Sequence, residues 1–140
     1  MDIFTIGTNK KDAEIFFELL EKNRINKVID IRLNNRTQLC GFTKMNDLKF
    51  LLKKVLNINY EYLEDLAPTK EIMEDFRKNK NREKYKKAYL ALIETRKVRE
   101  KYVNYNFDRS CFLCSEVKAD DCHRKLISEY LFDTENIIDL

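Results

Sequence analysis

The sequence predicts a three-layer α/β/α domain on a mainly parallel sheet of about five strands, with residues 1–140 forming one unit. Three observations lead there. Short apolar runs are separated by segments long enough for a helix, the signature of βαβ units and hence of parallel pairing. Those intervening segments carry apolar residues at helical spacing. Two Gly and one Pro in 140 residues leave little chain for irregular loops, and they single out Gly7, Gly41 and Pro68 as backbone constraints.

Asp2–Ile6 reads as a buried strand stopped by Gly7, Thr8 and Asn9. Ala13, Phe16, Phe17 and Leu20 then fall on one face, giving a helix over roughly 11–23. Lys27–Arg32 is the second strand, and a polar stretch from Leu33 to Gly41 leads to a helix containing Leu48, Leu51, Leu52 and Val55. Ile58–Leu63 is the third strand, with Pro68 in the loop after it. Two highly charged helices follow, near 69–78 and 82–103. The second carries Tyr85, Ala88, Tyr89, Leu92 and Ile93 on one face, and the Lys/Asn/Arg-rich stretch 77–84 reads as the connection between them. Ser110–Cys114 is the fourth strand, a helix follows near 119–132, and Asn136–Leu140 is a last short strand.

Composition narrows the class. Apolar residues at 44%, with nine Phe and seven Tyr, supply a core and exclude a disordered chain despite 36% charged residues. The net charge of +3 does not announce nucleic-acid binding, although it leaves room for a local patch. No apolar run approaches the roughly 20 residues of a membrane span, and the first residues lack the basic start and cleavage site of a signal peptide. The expectation is therefore a cytoplasmic protein with no membrane partner and four reduced thiols. Oligomeric state is left open.

In such a sheet, ligands bind outside the carboxyl ends of the strands, and polar residues of this chain collect there: Gly7, Thr8 and Asn9 after the first strand, Asp30 and Arg32 at the end of the second, Glu64 and Asp65 after the third, Ser115 and Glu116 after the fourth. An aspartate inside an apolar strand is costly to bury unpaired, and Arg32 is its local partner. The pair reads either as a structural ion pair or as a base, or anchor, for a catalytic arginine. Asp120-Asp121-Cys122-His123-Arg124 is the strongest local signal. A helix starting near Ala119 or Asp120 puts Cys122 and His123 in its first turn, where the helix dipole favours a thiolate or a bound anion, and Arg124 adds a charge of bidentate geometry. His123, the sole histidine, and Cys122 each also have a plain reading as packed residues.

Cys111 and Cys114 form a CxxC, but on a strand residues three apart point to opposite faces. Cys114, Cys122 and His123, with Glu116 as a fourth donor, make the remaining metal candidate, for zinc or iron. Arg36, in the polar loop after Arg32, and Lys44 and Lys70 are further ligand-binding candidates, each also readable as a solvated cation.

With these residues in view, the chain resembles the domain of unknown function 488 family. The resemblance rests on Ile6-Gly7-Thr8-Asn9, Val28-Ile29-Asp30-Ile31-Arg32, Gly41-Phe42-Thr43-Lys44, Asp65-Leu66-Ala67-Pro68-Thr69-Lys70, Cys111–Glu116 and Cys122-His123-Arg124, in family order across almost the whole chain. It implies a three-layer α/β domain in bacterial or archaeal cytosol and no particular reaction. Many members carry a histidine in the last strand where this chain has Asp139, and a proline between the positions of Glu116 and Cys122, where this chain has none.

Two function classes follow. An enzyme would hold an anionic, phosphate-bearing substrate, a nucleotide or nucleic acid, against Arg32 and Cys122–Arg124, with Asp30 or Glu116 as base and His123 as acid–base or orienting group; Cys122 as nucleophile is a variant. The alternative is a non-catalytic module binding a metal, a small anion or nucleic acid. Lys, Arg and Tyr interleave across 69–103 as nucleic-acid binding would require, but the acidic residues there favour a solvated helix face.

Overall fold

A computed structural model describes residues 1–9, 11–36, 41–115 and 123–140. The elements in chain order are β1 (Ile3–Gly7), α1 (Ala13–Lys22), β2 (Lys27–Asp30), α2 (Met45–Leu51, continued by a π turn over Leu52–Leu56), β3 (Asn59–Tyr62), α3 (Lys70–Asn79), α4 (Arg82–Thr95), α5 (Val98–Lys101), β4 (Ser110–Cys114), α6 (described over His123–Leu131) and β5 (Ile137–Asp139). All strand pairs are parallel, in the order β3-β2-β4-β1-β5. The predicted three-layer α/β/α class is what the chain adopts.

Strand alternation divides the core into two layers. Phe4, Ile6, Val28, Cys111 and Leu113 pack with Phe16, Leu20, Leu48 and Leu52 of α1 and α2. Ile3, Ile29, Ile31 and Phe112 pack on the other side with Tyr89, Ile93, Val98 and Ile127 from α4, α5 and α6. Cys111 and Cys114 stand at opposite strand parities as expected, and burial pushes the Cys111 thiol far up, leaving it an inert packing group. Tyr89, fully buried, donates from its hydroxyl to the Leu66 carbonyl at 2.6 Å. Removing that hydroxyl orphans a buried acceptor, so Tyr89→Phe is expected to cost about 1–2 kcal/mol in a urea titration; a change under a few tenths would show that water replaces the bond.

The caps follow the sequence. Asp12 accepts from the Ile15 amide at 2.9 Å, Thr69 from Ile72 at 3.2 Å and Asn81 from Lys84 at 3.1 Å. Three expectations need correction. The stretch 77–84 is not a connection: α3 runs through Asn79, α4 starts at Arg82, and only Lys80 and Asn81 join them. The 82–103 helix breaks after Thr95, and Lys97, at φ 53°, precedes α5, which starts at Val98. No described glycine has positive φ; instead Arg24, Asn57, Lys80, Lys97 and Arg109 take that conformation, and a Cβ on Gly41 would meet nothing within 4 Å. Glycine scarcity thus shifts the left-handed positions onto longer residues and does not mark Gly41 as a constraint.

Candidate functional site

The chain leaves β2 at Asp30 and turns, so Arg32 is not the next same-face strand residue that the sequence suggested. The turn makes the pair bidentate. Asp30 Oδ1 accepts from the Arg32 amide at 3.0 Å and from Arg32 Nε at 2.9 Å; Oδ2 accepts from Arg32 Nη2 at 2.8 Å, the Tyr60 hydroxyl at 2.5 Å and Asn35 Nδ2 at 3.4 Å. Arg32 Nη2 also donates to the Thr43 carbonyl at 2.7 Å. Asp30 is 0% and Arg32 2% exposed, so both charges are out of water and survive only because they are paired and hydrogen-bonded. Arg32 Nη1 has no hydrogen-bond partner among the described residues. Burial and the neighbouring Asp30 push the Tyr60 hydroxyl far above its usual range, keeping it a donor.

His123 ties the next strand end to this cluster. Its Nε2 lies 2.5 Å from the Ile31 carbonyl, so that nitrogen carries the proton. Its ring meets the Tyr89 ring edge-on at 5.5 Å. Burial lowers the His123 pKa to about 4, with Arg124 opposing charge as well. The imidazole is neutral at pH 7, and any proton it exchanges passes through Nδ1.

Arg124 is 1% exposed and donates from Nη1 to Cys114 Sγ at 3.5 Å. Cys114 is disulfide-bonded, which corrects the expectation of four reduced thiols. Thr8 and Asn9 hang on the carboxyl end of β4, their amides donating to the Cys114 carbonyl at 3.0 Å and the Ser115 carbonyl at 2.9 Å. Lys11 follows them, its pKa lowered by burial and by Arg124. Among the described residues the buried charged side chains are two guanidiniums, Arg32 and Arg124, and one carboxylate, Asp30.

The strand ends therefore bring together Asp30, Arg32, His123, Arg124, Thr8 and Asn9, with Gly7 and Ser115 in the flanking backbone. Glu116 and Cys122 lie outside the described residues, and with them two of the four proposed metal donors; among the described residues no group of His, Cys, Asp and Glu is arranged to hold a metal ion. Arg36, Lys44 and Lys70 are exposed, and Lys70 sits 3.9 Å from Glu74. Asp65 turns away from the cluster to Lys101 and to the Tyr102 hydroxyl at 3.0 Å, while Glu64 is exposed, so β3 contributes no carboxylate. Its contribution is Tyr60, which sequence reading missed together with Asn35, Thr43 and Lys11. The only trace in the sequence was strand parity, which puts Tyr60 on the same side as Val28 and Asp30 once the register Val28↔Tyr60 is known. Asp139, at the late histidine position, accepts from the Thr5 hydroxyl at 2.5 Å and pairs with Lys125 at 3.1 Å.

No described helix is long and apolar enough to cross a membrane. Neither the curated proteins nor the solved structures hold a significant match to the chain. The family model for the domain of unknown function DUF488 matches residues 12–131, a span holding every side chain of the Asp30–Arg32–His123–Arg124 cluster. The chain belongs to the DUF488 family.

Proposed function

We propose that the protein binds a phosphate-bearing anion, a nucleotide or a nucleic-acid phosphate, at the carboxyl ends of β1, β2 and β4, and that Arg32 grips it. One observation carries this reading: a buried guanidinium, locked on two edges by Asp30 and Thr43, keeps Nη1 without a partner among the described residues. An unmade bond from a buried charged donor is expensive, and a phosphate or carboxylate oxygen is its natural acceptor. Asp30, already accepting five hydrogen bonds, serves as the anchor of Arg32 and not as a base. Arg124, a second buried guanidinium, sits beside Cys114 at the carboxyl end of β4 and adds positive charge to this rim of the sheet. As an enzyme, the protein would use His123 Nδ1 as its proton-exchanging atom, with Glu116 and Cys122 as the further candidates; as a binding module it needs none of them.

Inorganic phosphate, pyrophosphate and nucleoside mono- and diphosphates are the probes. Thermal unfolding with each present at about 100 times its Kd should show about 2.7 kcal/mol of added stability. Arg32→Lys, which keeps charge but loses the fork, should bind at least about tenfold more weakly in calorimetry. A wild-type melting temperature unmoved by all of them at millimolar concentration refutes the reading. Turnover of a bound phosphate ester that His123→Ala abolishes while binding persists would select the enzyme over the module.

A further inference from the structure

Far from that cluster in sequence, α3 and α4 form a helical hairpin whose turn is the most charged stretch of the chain. Residues 77–87 hold seven Lys or Arg and one Glu, a local charge of +6 in a protein whose total is +3. Every one of those cations is exposed. Of their acidic neighbours, Glu83 lies in the turn itself and Asp75 reaches it, engaged by Lys84 at 3.3 Å and by Asn79 at 3.1 Å, while Glu71 and Glu74 sit in the first half of α3 and Glu94 near the end of α4. Arg77, Lys78, Lys80, Lys86 and Lys87 have no carboxylate partner among the described residues. The dilution that the sequence suggested over 69–103 is thus smaller at the turn, where seven cations face Glu83 and Asp75. The hairpin is braced by the Phe76 and Tyr85 rings, 4.9 Å apart beneath the turn, and by Asn81 capping α4.

We propose that this hairpin turn is a docking surface for the phosphate backbone of a nucleic-acid duplex. Charge complementarity selects a polyanion. The aromatic content selects the duplex over a single strand: the only aromatic residue within 77–87, Tyr85, is buried, so no ring is offered for a base to stack on. Contacts of this kind are to phosphates and carry no sequence information. Use of this surface does not require the Arg32 cluster to bind anything.

The test is anisotropy of a labelled generic duplex with the full chain. Five phosphates neutralised predict that affinity falls roughly 500-fold between 50 and 200 mM salt. Lys78→Glu, Lys86→Glu and Lys87→Glu together should cost at least about a hundredfold at 50 mM and flatten the salt dependence by about three phosphate equivalents. Lys49→Glu, Lys53→Glu and Lys54→Glu on α2 change the net charge by the same amount and should lose no more than roughly threefold once salt screens distant charges. Thermal unfolding verifies that both triple variants fold. Absence of saturable binding at 50 mM, equal losses in the two variants, or tighter binding to vesicles of anionic lipid than to the duplex overturns the proposal.

Discussion

Asp30→Ala is expected to lower the unfolding free energy by about 3–5 kcal/mol, a large part of the roughly 5–15 kcal/mol that a domain possesses. The reason is asymmetry. Asp30 is the buried carboxylate that neutralises Arg32, and it is also the acceptor for Tyr60 and Asn35. Deleting it strands a guanidinium at 2% exposure together with two polar donors. Replacing both charges, Asp30→Leu with Arg32→Met, removes the stranded charge along with its partner and should recover at least about half of the loss. Urea titrations of the two variants decide the matter. A single-variant loss under about 1 kcal/mol would mean that water or an ion reaches Arg32 freely, and the cluster would then not be the dry site described.

The second large effect is on pH. His123 titrates near 4 when folded and near 6.5 when exposed, so between those values the unfolded chain binds the extra proton. The imidazole's contribution is fully present above about pH 6.5 and is lost as pH falls toward 4. Stability should drop by about 2 kcal/mol between pH 6.5 and 5, and about 3 kcal/mol by pH 4. Glu61 and Asp65, whose partners Tyr105 and Lys101 hold them below the ordinary carboxylate range against the cost of burial, lose their contributions only as pH falls through that range, at about 4. As this is the sole histidine, the interval from 6.5 to 5 reports on it alone. His123→Gln, which still offers a donor to the Ile31 carbonyl, should flatten it. A wild-type curve already flat there would place the imidazole in water.

Which features the sequence could reveal follows from their physical range. Ser110–Cys114 was legible to the residue because a run of five buried residues bounded by polar ones has one reading. Asp30 with Arg32 was legible because a charge inside Val28–Ile31 demands a partner. His123 is buried, as its plain reading as a packed residue had it, and so is Ile127 on the same helix. Tyr60 was not legible, because its bond to Asp30 depends on the parallel register of β2 and β3, a property of two segments and of neither alone. Nor was the break at Lys97, where a lysine takes the conformation that usually announces itself as glycine or asparagine. The direction of Asp65 depended on α5 delivering Lys101 and Tyr102, and α5 exists only because of that break.

The strand order carries a kinetic consequence. β1 and β2 follow each other in the chain but never touch, because β4 lies between them and pairs with both. Until residues 110–114 arrive, the amino-terminal strand and the β2–β3 pair are separate pieces with bare edges, and no local hairpin bridges them. Closing that gap means paying the loop entropy of most of the chain before the reward of pairing is collected. Assembly of this small domain is therefore a late, single event centred on Phe112, whose ring reaches Phe107 and Phe132, and the waiting pieces are those that a refolding buffer would catch in aggregates.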